Sequence, residues 1–247
     1  MRGLLAFSVA AAVACGAPPA ASGADAPITP LRTLVYSVQV STLTKSEEQT
    51  SGFNAGGNGG AIGHGAVARS AEASDDGSLT VNVIGATPDL GLVVDAAFAG
   101  KYARQPAIRV AIFPDGRLSY DPAQQLSVEA ARILPLLARG LLNGRDLAAG
   151  ATWKTDAPEP AKGVMTYRII DVRGTQATIG IEAELKVPGP RGYDEQDQSK
   201  TTYATDRVCP VIVDLQARTR HSPSAEQYVT TTVHLTASLV SDSFAKK

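Results

Sequence analysis

The sequence predicts a mainly β protein of the α+β kind: one curved, half-barrel-like antiparallel sheet of about nine strands, with a short, proline-interrupted helix on its concave face. Three observations carry that expectation. Alternation of aliphatic and polar residues recurs along most of the chain, as strands with one dry and one wet face require. The alternating stretches are mostly joined by short turns, which imply antiparallel neighbours. One stretch only, Ser127 to Asn143, has a helical period instead.

Leu31 to Thr44 reads as the first strand, with Leu34, Tyr36, Val38 and Val40 on one face. Lys45 to Gly65 is polar and reads as a long loop, with seven glycines between Gly52 and Gly65. His64 to Ser74 and Ser78 to Ala86 read as two strands joined by a hairpin at Asp75-Asp76-Gly77. Gly91 to Ala99 and Ala107 to Phe113 alternate cleanly, and Pro114-Asp115-Gly116 turns the chain.

The helical segment 127–143 follows. Val128, Ala131, Leu134, Leu137, Leu141 and Leu142 approximate one face. The Ser127 hydroxyl can cap the first turn, and Glu129 complements the dipole there. Pro135 cannot donate to Ala131, so it should open a second short helix. Asn143-Gly144 supplies a left-handed stop. Such a segment is either a lid packed on the sheet or a gate over an apolar cavity. Leu134, Leu137 and Leu141, with the sole tryptophan, Trp153, are the candidate residues lining an apolar ligand site.

Leu147 to Asp156 re-enters the sheet. Val164 to Val172 and Ala177 to Val187 form a hairpin across Arg173-Gly174, and Pro188 to Lys200 reads as a polar loop. Thr201 to Arg218 and Gln227 to Ser241 make a final hairpin whose last strand has a threonine-rich outer face.

The first residues address the chain outside the cytoplasm. Arg2 precedes the apolar run Leu4 to Ala14, which is too short to span a bilayer. Residues 1–24 read as a signal peptide ending at the small residues Ser22-Gly23-Ala24. Alternatively, Ala12-Val13-Ala14-Cys15 reads as a lipobox, giving a lipidated Cys15 and a tether over 15–30. Both readings export the chain, to the periplasm or to an outer-membrane anchor, and membrane contact comes only through that anchor. Residues 31–247 then form a single antiparallel β domain.

Composition argues against several functions. Lys plus Arg number 23 against 24 Asp plus Glu, with no basic patch, so no nucleic-acid partner is expected. Cys209 is the only cysteine beyond the leader, so no disulfide staples the fold. It shares parity with Val211, Val213 and Leu215, which makes it a core residue rather than a nucleophile. His221 and His234 lack metal-ligand spacing. The glycines from Gly59 to Gly65 neither leave a strand nor open a helix, as a dinucleotide loop must. The carboxylates of Tyr193 to Asp197 are not in calcium-loop order and read as a solvated loop. No catalytic residue, cofactor or metal is expected, and the chain is not expected to be an enzyme.

In layout the chain resembles bacterial envelope proteins of the lipoprotein-carrier (LolA-like) half-barrel superfamily. The shared features are the exported start, the strand hairpins, the Asp115-Gly116 turn before the apolar Leu134-to-Leu142 stretch, and the Gly150-Ala151-Thr152-Trp153 re-entry. The resemblance implies an acyl chain or another apolar ligand held between sheet and helix; the inward aliphatic rows and the proline-broken helix would equally suit a lipidated partner protein. The alternative is a structural or protein-interaction module of the envelope with no ligand pocket.

Replacing Leu5 and Val9 by charged residues is expected to abolish export under both N-terminal readings. Radioactive palmitate separates them, since only a lipoprotein incorporates it at Cys15.

Overall fold

The computed structural model describes residues 29–51, 64–102, 104–189, 192–224 and 227–244. The signal peptide and the Cys15 anchor that the sequence predicts, and the glycines of 52–63, lie outside them. Among the described residues, five strands precede the helix: β1 (Arg32–Ser51), β2 (His64–Ala86), β3 (Leu92–Gly100), β4 (Ile108–Ile112) and β5 (Leu118–Tyr120). The helix α1 (Val128–Ile133) continues into two 3-10 turns, Leu134–Leu137 and Arg139–Leu141. Then come β6 (Thr152–Asp156), β7 (Lys162–Arg173), β8 (Gln176–Val187), β9 (Tyr193–Ala204), β10 (Cys209–Ser224) and β11 (Gln227–Asp242).

All eleven strands belong to one open antiparallel sheet, in the order β5-β4-β3-β2-β1-β11-β10-β9-β8-β7-β6. Each half is a meander, and the first and last strands pair in the middle. β5 and β6, consecutive in sequence, therefore lie on opposite edges. The chain between them has to cross one face of the sheet, and the side chains it covers define the inner face. α1 packs on β3, and the turn after it on β4 and β10.

The alternation expected from the sequence is the alternation found. Leu34, Tyr36 and Val38 of β1 are buried, while Ser37, Gln39 and Ser41 are exposed. Leu79, Val81, Val94, Val110, Ile112, Leu235 and Val213 join them in one core that also takes in Ile133, Leu134 and Leu137. A second, smaller cluster of Leu142, Tyr167, Ile169, Ile179, Ile181 and Tyr203 fills the β7–β9 side. Each large aliphatic side chain taken from water contributes about 1.5–3 kcal/mol.

The centre of the sheet is closed at one end by charge. Arg32 donates from Nε and Nη2 to the two Asp242 oxygens at 3.0 and 2.8 Å, and Arg207 Nη1 donates to Asp242 at 2.9 Å. Burial alone would raise the Asp242 carboxyl, but these bonds and the Phe244 N–H hold it below its ordinary value.

Four details differ from the sequence reading. Asp75-Asp76-Gly77 is not a hairpin: β2 runs straight through it, because β1 continues to Ser51 and pairs with it throughout, Gln39 opposite Asp76 and Val38 opposite Gly77. Residues 45–51 and 64–65 are strand, not loop. Most of the polar stretch 188–200 is β9, whose bonds to β8 and β10 hold it in the sheet. The long strand expected from Thr201 to Arg218 is broken by a turn over residues 205–208, where Val208 has a positive φ of 49°.

Gly77 is needed for close approach rather than for turning. A Cβ there would stand 2.5 Å from the Ala99 carbonyl oxygen and 2.6 Å from Gly100 Cα. Gly77→Ala is expected to destabilise by about 1–3 kcal/mol in urea denaturation. Gly85→Ala, where a Cβ meets nothing within 4 Å, should be neutral or stabilising by up to about 1 kcal/mol.

Candidate functional site

The crossing segment is built as its sequence dictates. Ser127 Oγ accepts from the Ala130 N–H at 3.1 Å and caps α1. Pro135 sits in the first turn of Leu134–Leu137, where its missing N–H costs nothing. Gly144 ends the helical run at φ 69°. α1 has six residues, too few to be stable alone, so packing and side-chain ties must hold it in place.

The four candidate lining residues fall in two groups. Leu134 and Leu137 are buried in the larger core, and Leu141 and Trp153 are half-buried against the smaller one. Leu136 touches both. Ile133 and Leu134 are 0% exposed and Leu137 2%, so segment and sheet meet without a water-sized gap at these side chains. Trp153 stacks on Tyr167 with ring centroids 5.1 Å apart, and the Arg145 guanidinium lies 5.6 Å from the Trp153 ring centroid. Two shallow hollows lie away from the segment. One, of about 330 Å³, borders Ser41, Leu43, Glu72, Ser74, Thr232 and His234, and the other, of about 500 Å³, follows the Asp156–Gly163 connection.

The polar side of α1 carries the site that the sequence reading missed. Arg132 reaches β9, where its Nη1 donates to Glu195 Oε1 at 2.7 Å and to Asp197 Oδ2 at 2.9 Å. Its Nη2 donates to Glu195 Oε2 at 3.2 Å, making the Glu195 contact two-pronged. Burial alone would favour loss of the Arg132 proton, yet the two carboxylates raise its pKa. Burial would likewise raise Glu195, but Arg132 wins and lowers it. Asp197 goes the other way. Burial and the neighbouring Glu195 charge push it up to about 7, against Arg132. Tyr193, on the same row, is pushed up to about 12 by burial and Glu195.

The β9 inner row is unusual for its polarity. Asp197 Oδ1, Thr201 Oγ1 and Tyr203 Oη are buried with no hydrogen-bond partner among the described residues. Thr201 is 0% and Tyr203 1% exposed, and burial raises the Tyr203 phenol well above its ordinary value. A buried polar atom left unpaired costs about 1–3 kcal/mol. The signal in the sequence was the alternation Tyr193, Glu195, Asp197, Ser199, Thr201, Tyr203, which has a strand's period but no hydrophobic contrast.

The remaining candidates sit apart. Cys209 is buried, with its Sγ accepting from Arg32 Nη2 at 3.2 Å. Burial raises its thiol, against the pull of Arg32. His234 lies on the outer face, 3.0 Å from Asp214 Oδ1, and His221 Nδ1 lies 3.0 Å from the Gly192 carbonyl. Among the described residues, no group of three metal-ligating side chains comes together.

No protein-family model and no curated protein matches this chain. Among solved structures, the chain is similar to one described as "Lipid-protein interactions in lipovitellin". The TM-score is 0.45 at 11% sequence identity, over 89% of this chain and 26% of that one. The chain thus spans much less than two thirds of that protein's length.

Arg132→Met leaves two buried carboxyls without their cation and is expected to cost about 3–5 kcal/mol in urea denaturation. The cost should be smaller at about pH 5.5 than at about pH 8, because the stranded carboxyls recover stability by taking up protons.

Proposed function

We propose that this is a non-enzymatic, exported protein of the bacterial envelope. Its inner sheet face receives an acyl-chained ligand, or a lipidated partner, when the crossing segment moves aside. The observation that carries the reading is the pair of buried hydroxyls of Thr201 and Tyr203, without a partner among the described residues, on a face whose neighbouring rows Ile179–Ile181 and Val213–Leu215 are aliphatic. In the closed form they are a cost, and natural cores leave few such groups unpaired. With the segment lifted, the face offers aliphatic rows for a chain and two hydroxyls for a polar head group. The cover is short, broken at Pro135 and tied by ion pairs as well as by packing. Cys209 lies against Arg32 rather than a histidine, which supports the non-enzymatic part of the reading.

One observation favours a second reading, an interaction module. Among the described residues, β3 reaches β2 only from Gly77 onward, and Ala68 to Ser74 are exposed. That stretch of β2 presents an outer edge to which an extended partner could add a strand.

Native mass spectrometry after gentle extraction is expected to show bound lipid, and purified protein should take up a fluorescent fatty acid. Tyr203→Phe and Thr201→Val remove the partnerless hydroxyls. They should leave stability unchanged or higher while weakening uptake about tenfold, the loss of about 1.4 kcal/mol of head-group bonding. Protein free of lipid that also takes up none would refute the ligand reading.

A further inference from the structure

We propose that Asp197 makes the tie between α1 and β9 a proton-operated latch: it is closed while the Asp197 carboxyl carries a proton and loosens when that proton is lost. The inference rests on the crossing segment being a gate, and the geometry of the tie carries it. One guanidinium serves two carboxyls, all three largely buried, with side-chain exposures of 15% for Arg132, 6% for Glu195 and 17% for Asp197. Glu195 has two bonds to Arg132, whereas Asp197 meets only the shared Nη1 and its Oδ1 has no partner. With both carboxyls ionised, the site holds one negative charge too many. Like-charged carboxylates that share a buried site keep one proton between them. Asp197, the worse solvated by Arg132, is the one that keeps it.

Among the described residues, the hydrogen bonds and ion pairs of the tie bring no second cation to Glu195 or Asp197. On the inner-face rows, α1 contributes Glu129 and Arg132, β9 contributes Tyr193 and Glu195, and β2 contributes Asp75 and, farther along and exposed, Arg69. β10 adds His221, bonded at Nδ1 to the Gly192 carbonyl. The facing β8 residues Ala183, Leu185 and Val187 carry no charge. Glu129 is buried near Asp75, and burial raises its carboxyl too.

The direction of the switch follows from the raised Asp197 value. Closing the segment takes Asp197 from a solvated carboxyl near 3.8 to about 7, so the closed form binds the proton more tightly. Closure is favoured by acidity through that interval and loses this support as pH rises through about 7. Glu195, held low by Arg132, stays ionised over the same range. The latch therefore holds from mildly acid to neutral conditions and slackens above them.

Hydrogen exchange of the full chain reads the latch without any ligand. The Ala131 N–H bonds to the Ser127 carbonyl and the Leu134 N–H to the Ala130 carbonyl, so both report opening of α1. Corrected for intrinsic rates, their exchange should accelerate about tenfold between about pH 6 and about pH 8.5. Asp197→Asn, which keeps the shape of the protonated carboxyl, should stay closed and lose the step. Glu195→Gln removes the competing charge and should move the step to lower pH. A wild-type chain without the step, or a step that survives in Asp197→Asn, overturns the latch. Uptake of a fluorescent fatty acid, followed in parallel, separates the two readings. A step without uptake leaves the latch standing and removes the ligand, whereas uptake without a step does the reverse.

Discussion

The pairing of the first strand with the last is the constraint on which the structure depends. β1 and β11 lie side by side from Leu34 opposite Asp242 to Glu48 opposite Gln227. That single ladder turns two meanders into one sheet and sends β5 and β6 to its two edges. The inner face then receives its cover from the one piece of chain that joins those edges. Arg32, Asp242 and Arg207 tie the same ladder where it ends, with the Asp242 side chain 1% exposed.

The cover is held by two kinds of force that respond differently to conditions. Ile133, Leu134 and Leu137 bury aliphatic surface against β-sheet residues, a contribution that pH does not change. Arg132, Glu195 and Asp197 form an ion-pair tie whose strength depends on how many protons it holds.

Most of the sheet was legible because aliphatic contrast marks a half-buried strand, as in the Leu34-Tyr36-Val38 row or Ile179-Ile181 of β8. The helical segment was legible down to its cap and its proline, since both act through local chemistry at Ser127 and Pro135. β9 was not. Its inner positions are Glu, Asp, Ser, Thr and Tyr, and their partner Arg132 lies more than sixty residues away in sequence. A pattern read in hydrophobicity registers such a strand as loop. The run through Asp75-Asp76-Gly77 was misread for a related reason. Turn-forming residues at that position serve a tertiary demand, the approach of Ala99 and Gly100 to Gly77, that no local rule encodes. Leu134, Leu137 and Leu141 were marked by their period and Trp153 by being the sole tryptophan, but which of the two cores each would join depended on topology.

The route of the chain has a consequence for how it can be divided. Asp121 to Ala151 is the only covalent link between the two meanders, and no strand lies within it. A nick there leaves one fragment with β1 to β5 and the other with β6 to β11, each contiguous in the sheet. What would rejoin them is the seam between the original ends, so the molecule is organised as two complementary pieces that the ribosome happens to deliver as one.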